Sequence, residues 1–128
     1  MDKQEVFNKV KTHLLTQNER AGREGNCQYR TSEGLKCAVG CLIEDQYYDP
    51  QIEGTGIVAV KWDIESNNPQ TSGVVSVFRT ILEKSHVPMN SEVFLLLSEL
   101  QKLHDYLPVH TWEVNLKEIA KYHGLKYE

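Results

Sequence analysis

Residues 90–107 read NSEVFLLLSELQKLHDYL, and their spacing decides the fold class. Val93, Leu96, Leu97, Leu100, Leu103 and Leu107 recur three or four apart, so a helix gathers them into one apolar stripe with Phe94 at its edge. Asn90 or Ser91 supplies the side-chain oxygen that caps the first turn. A stripe this long must be covered by other elements, and the flanking sequence offers helices to do it.

Upstream, Ser72 or Gly73 opens a helix with Val74, Val77, Phe78, Ile81 and Leu82 facing inward, and Pro88 ends any continuation. Downstream, Thr111 begins a last helix that buries Trp112, Leu116, Ile119 and Ala120 and closes at Gly124. Near the N-terminus, Val6, Phe7, Val10, Leu14 and Leu15 fall at helical spacing over residues 2–18, with Asp2 and Glu5 arranged as a capping box.

The stretch between is less regular. Residues 19–34 read as a loop with a short extended piece at 27–31. The nearly continuous apolar run 35–43 suits a short buried helix, with a strand as the competing assignment. Residues 45–56 favour turns, and Val58, Val60, Trp62 and Ile64 alternate with Ala59, Lys61 and Asp63, a period of two that predicts a strand over 57–65 paired with 27–31. Asn67, Asn68 and Pro69 then break the chain. No internal repeat stands out. The expected architecture is a mainly α single domain over residues 1–128, about five helices around a short buried one, with room for a small two-stranded ribbon.

Composition agrees: 40% hydrophobic and 25% charged residues is ordinary for a globular chain of 128 residues. No apolar run approaches the roughly 20 residues of a membrane span, and the polar start offers no secretory h-region, so a cytoplasmic protein is expected. An odd number of cysteines in such a chain points to reduced thiols. Net charge is +2 over residues 1–43, −5 over 44–65 and −1 over 66–128. That acidic middle disfavours nucleic acid, whose footprint is a concentrated basic patch.

Residues 27–54 carry a recognisable pattern: Cys27-x-Tyr29-Arg30, then Gly34-x-Lys36-Cys37-Ala38-x-Gly40-x-Leu42-Ile43-x-Asp45-x-x-Tyr48-x-Pro50, then Glu53-Gly54. It resembles a group of short proteins encoded by tailed phages and by bacteria carrying prophages. The likeness extends to Leu14-Leu15, Leu100-Gln101-x-Leu103-His104-Asp105, Trp112 and His123-Gly124-Leu125, about half the chain, and departs at Glu44, where the group often has Pro. The resemblance implies an accessory protein, working in the host cell cytoplasm, and brings no catalytic residues with it.

Several constellations could carry chemistry. Tyr29, Arg30 and Lys36 surround the Gly34 turn, where cations and free amides favour an anion, and Tyr47 and Tyr48 offer stacking surface. The plainer reading pairs Arg30 and Lys36 with Asp45, Asp49 or Glu53 to hold the loop. Cys37 and Cys41, four apart, could join Cys27 and His104 or His123 in a zinc set, but these thiols lie among aliphatic residues and read more simply as buried hydrophobes. A Cys37 nucleophile activated by Lys36 and served by a histidine base lacks any local signature. His104 and Asp105 are adjacent on a helix, which predicts that they do not face each other. Tyr47, Tyr48 and Trp62 among the carboxylates of residues 45–63 would suit a basic protein target, unless Trp62 and one tyrosine are core.

The reading that follows is a non-enzymatic accessory protein that binds a host or defence protein, in an anti-defence role, or a small phosphorylated, nucleotide-like ligand. Its expected binding residues are Tyr29, Arg30, Lys36, Asp45, Tyr47, Tyr48 and Glu53, with no cofactor. Alternatives are a zinc protein on Cys27, Cys37, Cys41 and His104, a cysteine-dependent enzyme on Cys37 and Cys41, or an oligomerisation module built on the central helix.

Overall fold

The computed structural model describes residues 1–66 and 73–128. The expected break at Asn67, Asn68 and Pro69 and the alternative helix start at Ser72 lie outside the described residues.

Helix α1 (Lys3–Gln17) starts at the capping box: the Glu5 amide donates to Asp2 (2.8 Å) and the Asp2 amide to Glu5 (3.2 Å). It ends at Asn18, whose left-handed φ of 50° turns the chain away. A two-stranded antiparallel ribbon follows, β1 (Gly22–Arg23) and β2 (Asn26–Cys27). Three short 3₁₀ turns occupy Gly40–Leu42, Asp45–Tyr47 and Pro50–Ile52. Helices α2 (Ile57–Glu65), α3 (Gly73–Lys84), α4 (Ser91–Tyr106) and α5 (Trp112–Tyr122) follow, with a fourth 3₁₀ turn, Val109–Thr111, between the last two.

Helix α4 is the hub. The Asn90 side chain accepts the Val93 amide (2.9 Å) as its N-cap, and α1, α2 and α5 all pack on the helix. Val93, Phe94, Leu96, Leu97, Leu100 and Leu103 are buried, so Phe94 belongs to the core rather than its edge. Covering such side chains stabilises the fold by about 1.5–3 kcal/mol each, measured against leaving them in water.

Two expectations fail for identifiable reasons. Residues 57–65 form a helix, not a strand. Ile57, Val60 and Ile64 also fit a helical stripe, and that stripe is covered by α4 and α3, which pack on the helix. With helical geometry, Trp62 points outward at 67% exposure instead of entering the core, while Asp63 turns inward to the Arg79 guanidinium on α3 (2.8 Å).

Residues 35–43 are buried as expected but are not a regular helix. Lys36 sits in an antiparallel bridge with Arg30, which demands extended backbone, and Ile43 is extended again (ψ 124°). The span between is too short for α-helix nucleation, so it closes as the 3₁₀ turn Gly40–Leu42. The bundle therefore has five α-helices among the described residues, with α2 taking the place expected of 35–43.

Candidate functional site

The turn at 31–35 is what brings the two basic side chains together. Thr31 and Leu35 pair through backbone (2.9 Å), the Thr31 hydroxyl accepts the Leu35 amide (3.0 Å), and Gly34 takes φ 87°, which only glycine adopts without strain. Arg30 and Lys36 thereby stand as bridge partners. The end of α1 fixes Lys36 from behind: Gln17 accepts its amide (3.0 Å) and donates to its carbonyl (2.9 Å), and His13 reaches the same carbonyl (2.8 Å). Burial lowers the His13 pKa from its ordinary 6.5, outweighing the hydrogen bond to the Lys36 carbonyl, which acts to raise it.

Arg30 is held on several sides. Its Nη2 donates to the Ile43 carbonyl (2.6 Å), its guanidinium lies over the Tyr48 ring (4.7 Å), and its Nη1 contacts Asp45 (2.9 Å). Lys36 Nζ lies 3.6 Å from the same Asp45 oxygen. Lys36 first, then Arg30, hold the Asp45 carboxyl below the usual carboxylate range. The Asp45 side chain is nonetheless 81% exposed, while that of Arg30 is only 16% exposed. Arg30 Nε is buried with no hydrogen-bond partner.

Beneath this pair, Glu53 accepts the Tyr29 and Arg30 amides (2.9 and 3.2 Å) and the Tyr48 hydroxyl (2.5 Å). Burial, then the hydrogen bond to Glu53, pushes the Tyr48 hydroxyl up to about 12. Tyr29 is buried, donates to the Thr55 carbonyl (2.5 Å) and meets the Phe78 ring edge-on, so it supports the site without facing a ligand. Tyr47 stands apart, half-buried under the Lys84 ammonium (5.6 Å). The structure thus joins Arg30, Lys36, Asp45, Tyr48 and Glu53 directly, with Tyr29 behind them. Asp49, named as a loop partner, instead caps Gln51 (3.0 Å).

The thiols do not converge as a set of three. Cys37 is buried and its Sγ accepts the Gly40 amide (3.3 Å), while Cys41 donates to the Ala38 carbonyl (3.1 Å). Cys27, at the end of β2, instead approaches His104 and Asp105, with ligand-type atoms all within 4.8 Å. Contrary to the expectation from helix geometry, His104 and Asp105 do meet: Nδ1 lies 2.8 Å from the carboxylate, in the last turn of α4.

The buried His104 ring is committed at both nitrogens. The Ala21 amide donates to Nε2 (3.0 Å), so Nε2 is an acceptor and the ring proton sits on Nδ1, donated to Asp105. Neither nitrogen then has a lone pair for a cation or for a neighbouring thiol. Burial, then Asp105, pushes the Cys27 thiol up to about 12. Burial raises Cys41 to about 12 and Cys37 likewise upward. With no metal bound, all three are held as thiols, the form that does not attack.

Sequence reasoning missed the residues that lock this region together. Gln101 accepts the Val39 amide (3.0 Å) and donates to Asp105 (2.7 Å), and Arg20 donates to the His104 and Leu107 carbonyls (2.8 and 2.5 Å). The contacts of Arg20 and the Gln101–Val39 bond join residues 62 to 87 positions apart, so no local pattern announces them. No family model, curated protein or solved structure matches the chain.

Proposed function

We propose that this chain works by binding, and that it recognises the anionic group of a small phosphorylated, nucleotide-like ligand at Arg30 and Lys36. The observation that carries this reading is the Asp45 carboxylate: 81% exposed, it lies against two cations that are 16% and 32% exposed. It occupies the seat an incoming phosphate would take.

Arg30 is already oriented by Ile43 and Tyr48, so little side-chain entropy is lost when an anion engages it. A phosphate offers more acceptor oxygens than the carboxylate and can meet guanidinium and ammonium together. Asp45 rides on a three-residue turn at the surface and can swing away without disturbing the core. Nucleophilic catalysis by these cysteines with His104 as base is disfavoured by thiols held protonated and a histidine engaged at both nitrogens. Such a binder is in keeping with a phage-encoded accessory protein acting in the host cytoplasm. A basic protein target is the weaker reading, because Tyr47 and Tyr48 already lie against Lys84 and Arg30.

The test is an NMR titration of the full chain with pyrophosphate and with ADP. Saturable shifts are expected at the amides of Arg30, Lys36 and residues 43–48, and Lys36→Ala should weaken them about tenfold. Absence of saturation at those amides with either probe removes the reading.

A further inference from the structure

Helices α4 and α5 form an antiparallel hairpin. At its closed end the Trp112 indole donates to the Leu107 carbonyl (3.2 Å), and at its open end His123 meets Glu99 (2.7 Å). Along the outer face between them runs a groove of about 630 Å³, lined from both helices.

The two walls carry the same pattern, which the sequence reading did not register as a repeat. Residues 99–106 are ELQKLHDY and 115–122 are NLKEIAKY. Each places an aliphatic residue, Leu103 or Ile119, and then a tyrosine, Tyr106 or Tyr122, on the groove at matching helical intervals. The tyrosines are 56% and 74% exposed. At the fourth position the walls differ in sign: Lys102 on α4, Glu118 on α5. The end contacts, Glu99 with His123 and Leu107 with Trp112, set these two charges at the same height on opposite walls. Both are exposed, and neither makes an ion pair among the described residues.

We infer that this groove is the face by which two copies of the chain associate, around a two-fold axis running along the helices. That axis lays α4 of one copy on α5 of the other, so each Lys102 meets Glu118 of the second copy and each Tyr106 meets the Ile119 and Tyr122 stripe, with the buried Leu103 forming the floor of the groove. The alternative two-fold, perpendicular to the helices, sets α4 on α4 and faces Lys102 with Lys102. Opposite charges on facing walls of an apolar groove are what an isologous contact requires. The shorter wall is about 16 Å long. An interface of roughly 500 Å² a side sits at the low end of specific contacts, so the dimer is weak and concentration-dependent.

Sedimentation velocity on the full chain from about 1 µM to about 1 mM reads this directly. A monomer–dimer equilibrium is expected, and Tyr122→Ser, at a position too exposed to matter to the fold, should weaken it about tenfold or more. Lys102→Glu and Glu118→Lys should each weaken self-association about tenfold, because each replaces two attractions per dimer with two repulsions. Mixing the two charge variants should restore it, since the mixed dimer regains both pairs. A monomer at every concentration overturns the inference, as does a dimer indifferent to these variants or a mixture no tighter than either variant alone. A monomer carrying an apolar small molecule in native mass spectrometry overturns it too.

Discussion

Gly40 lies so close to the Tyr29 carbonyl that an added Cβ would stand 2.0 Å from its oxygen. The constraint is space rather than backbone angle, and the obstructing atoms are backbone, which cannot rotate aside. Gly40→Ala is therefore expected to destabilise the protein by about 3 kcal/mol, or to prevent folding, as read by urea unfolding. The same region sets the alkaline limit. Cys27 and Cys41 rise from 9.0 to about 12 and Tyr48 from 10.0 to about 12, so the folded chain holds these protons more tightly than the unfolded one. The stability they contribute is complete below pH 9 and is lost as pH rises through about 12. Unfolding free energy measured from neutral pH upward should hold level to about pH 9 and then fall, and replacing Cys27 and Cys41 with Ala should flatten the first part of that fall. A thiol reagent at pH 8 should modify Cys27 at least about a hundredfold more slowly than free cysteine.

At the scale of elements, the helix that was easiest to read, α4, depends at its C-terminus on a residue 84 positions away in sequence. Arg20 bonds the His104 and Leu107 carbonyls, satisfying the end of the helix where acceptors are orphaned and the dipole is negative. Arg20→Ala should cost about 1–2 kcal/mol in urea unfolding and speed amide exchange in the last turn of α4. Helices α1, α3, α4 and α5 were legible because their apolar residues fit the helical period, and α1 and α4 also open on local side-chain N-caps. Residues 57–65 were not, because nine residues rich in Val and Ile satisfy both periods, and the choice was made elsewhere, by α4 and α3 packing on the helical stripe. Residues 35–43 were legible as buried but not in shape, because the Arg30–Lys36 bridge and the Gly40 contact act from outside the segment.

For the molecule as a whole, the C-terminal half of α4 holds the irregular 21–43 segment in place. Gln101 holds Val39, His104 holds Ala21, and Asp105 accepts the Gly25 amide through its carbonyl. What remains outward of that grip is Arg30, Lys36 and Asp45. The composition of that candidate site was visible in sequence, but the exclusion of Tyr29 from its surface, the role of Asp45 as a resident anion and the capture of His104 by Ala21 arise only from packing. That Asp45 occupies an anion seat is tested most directly by calorimetric titration of Asp45→Ala and the parent chain with pyrophosphate. Removing the tethered competitor should tighten pyrophosphate binding about tenfold; binding that is unchanged, weakened or absent in Asp45→Ala would contradict it.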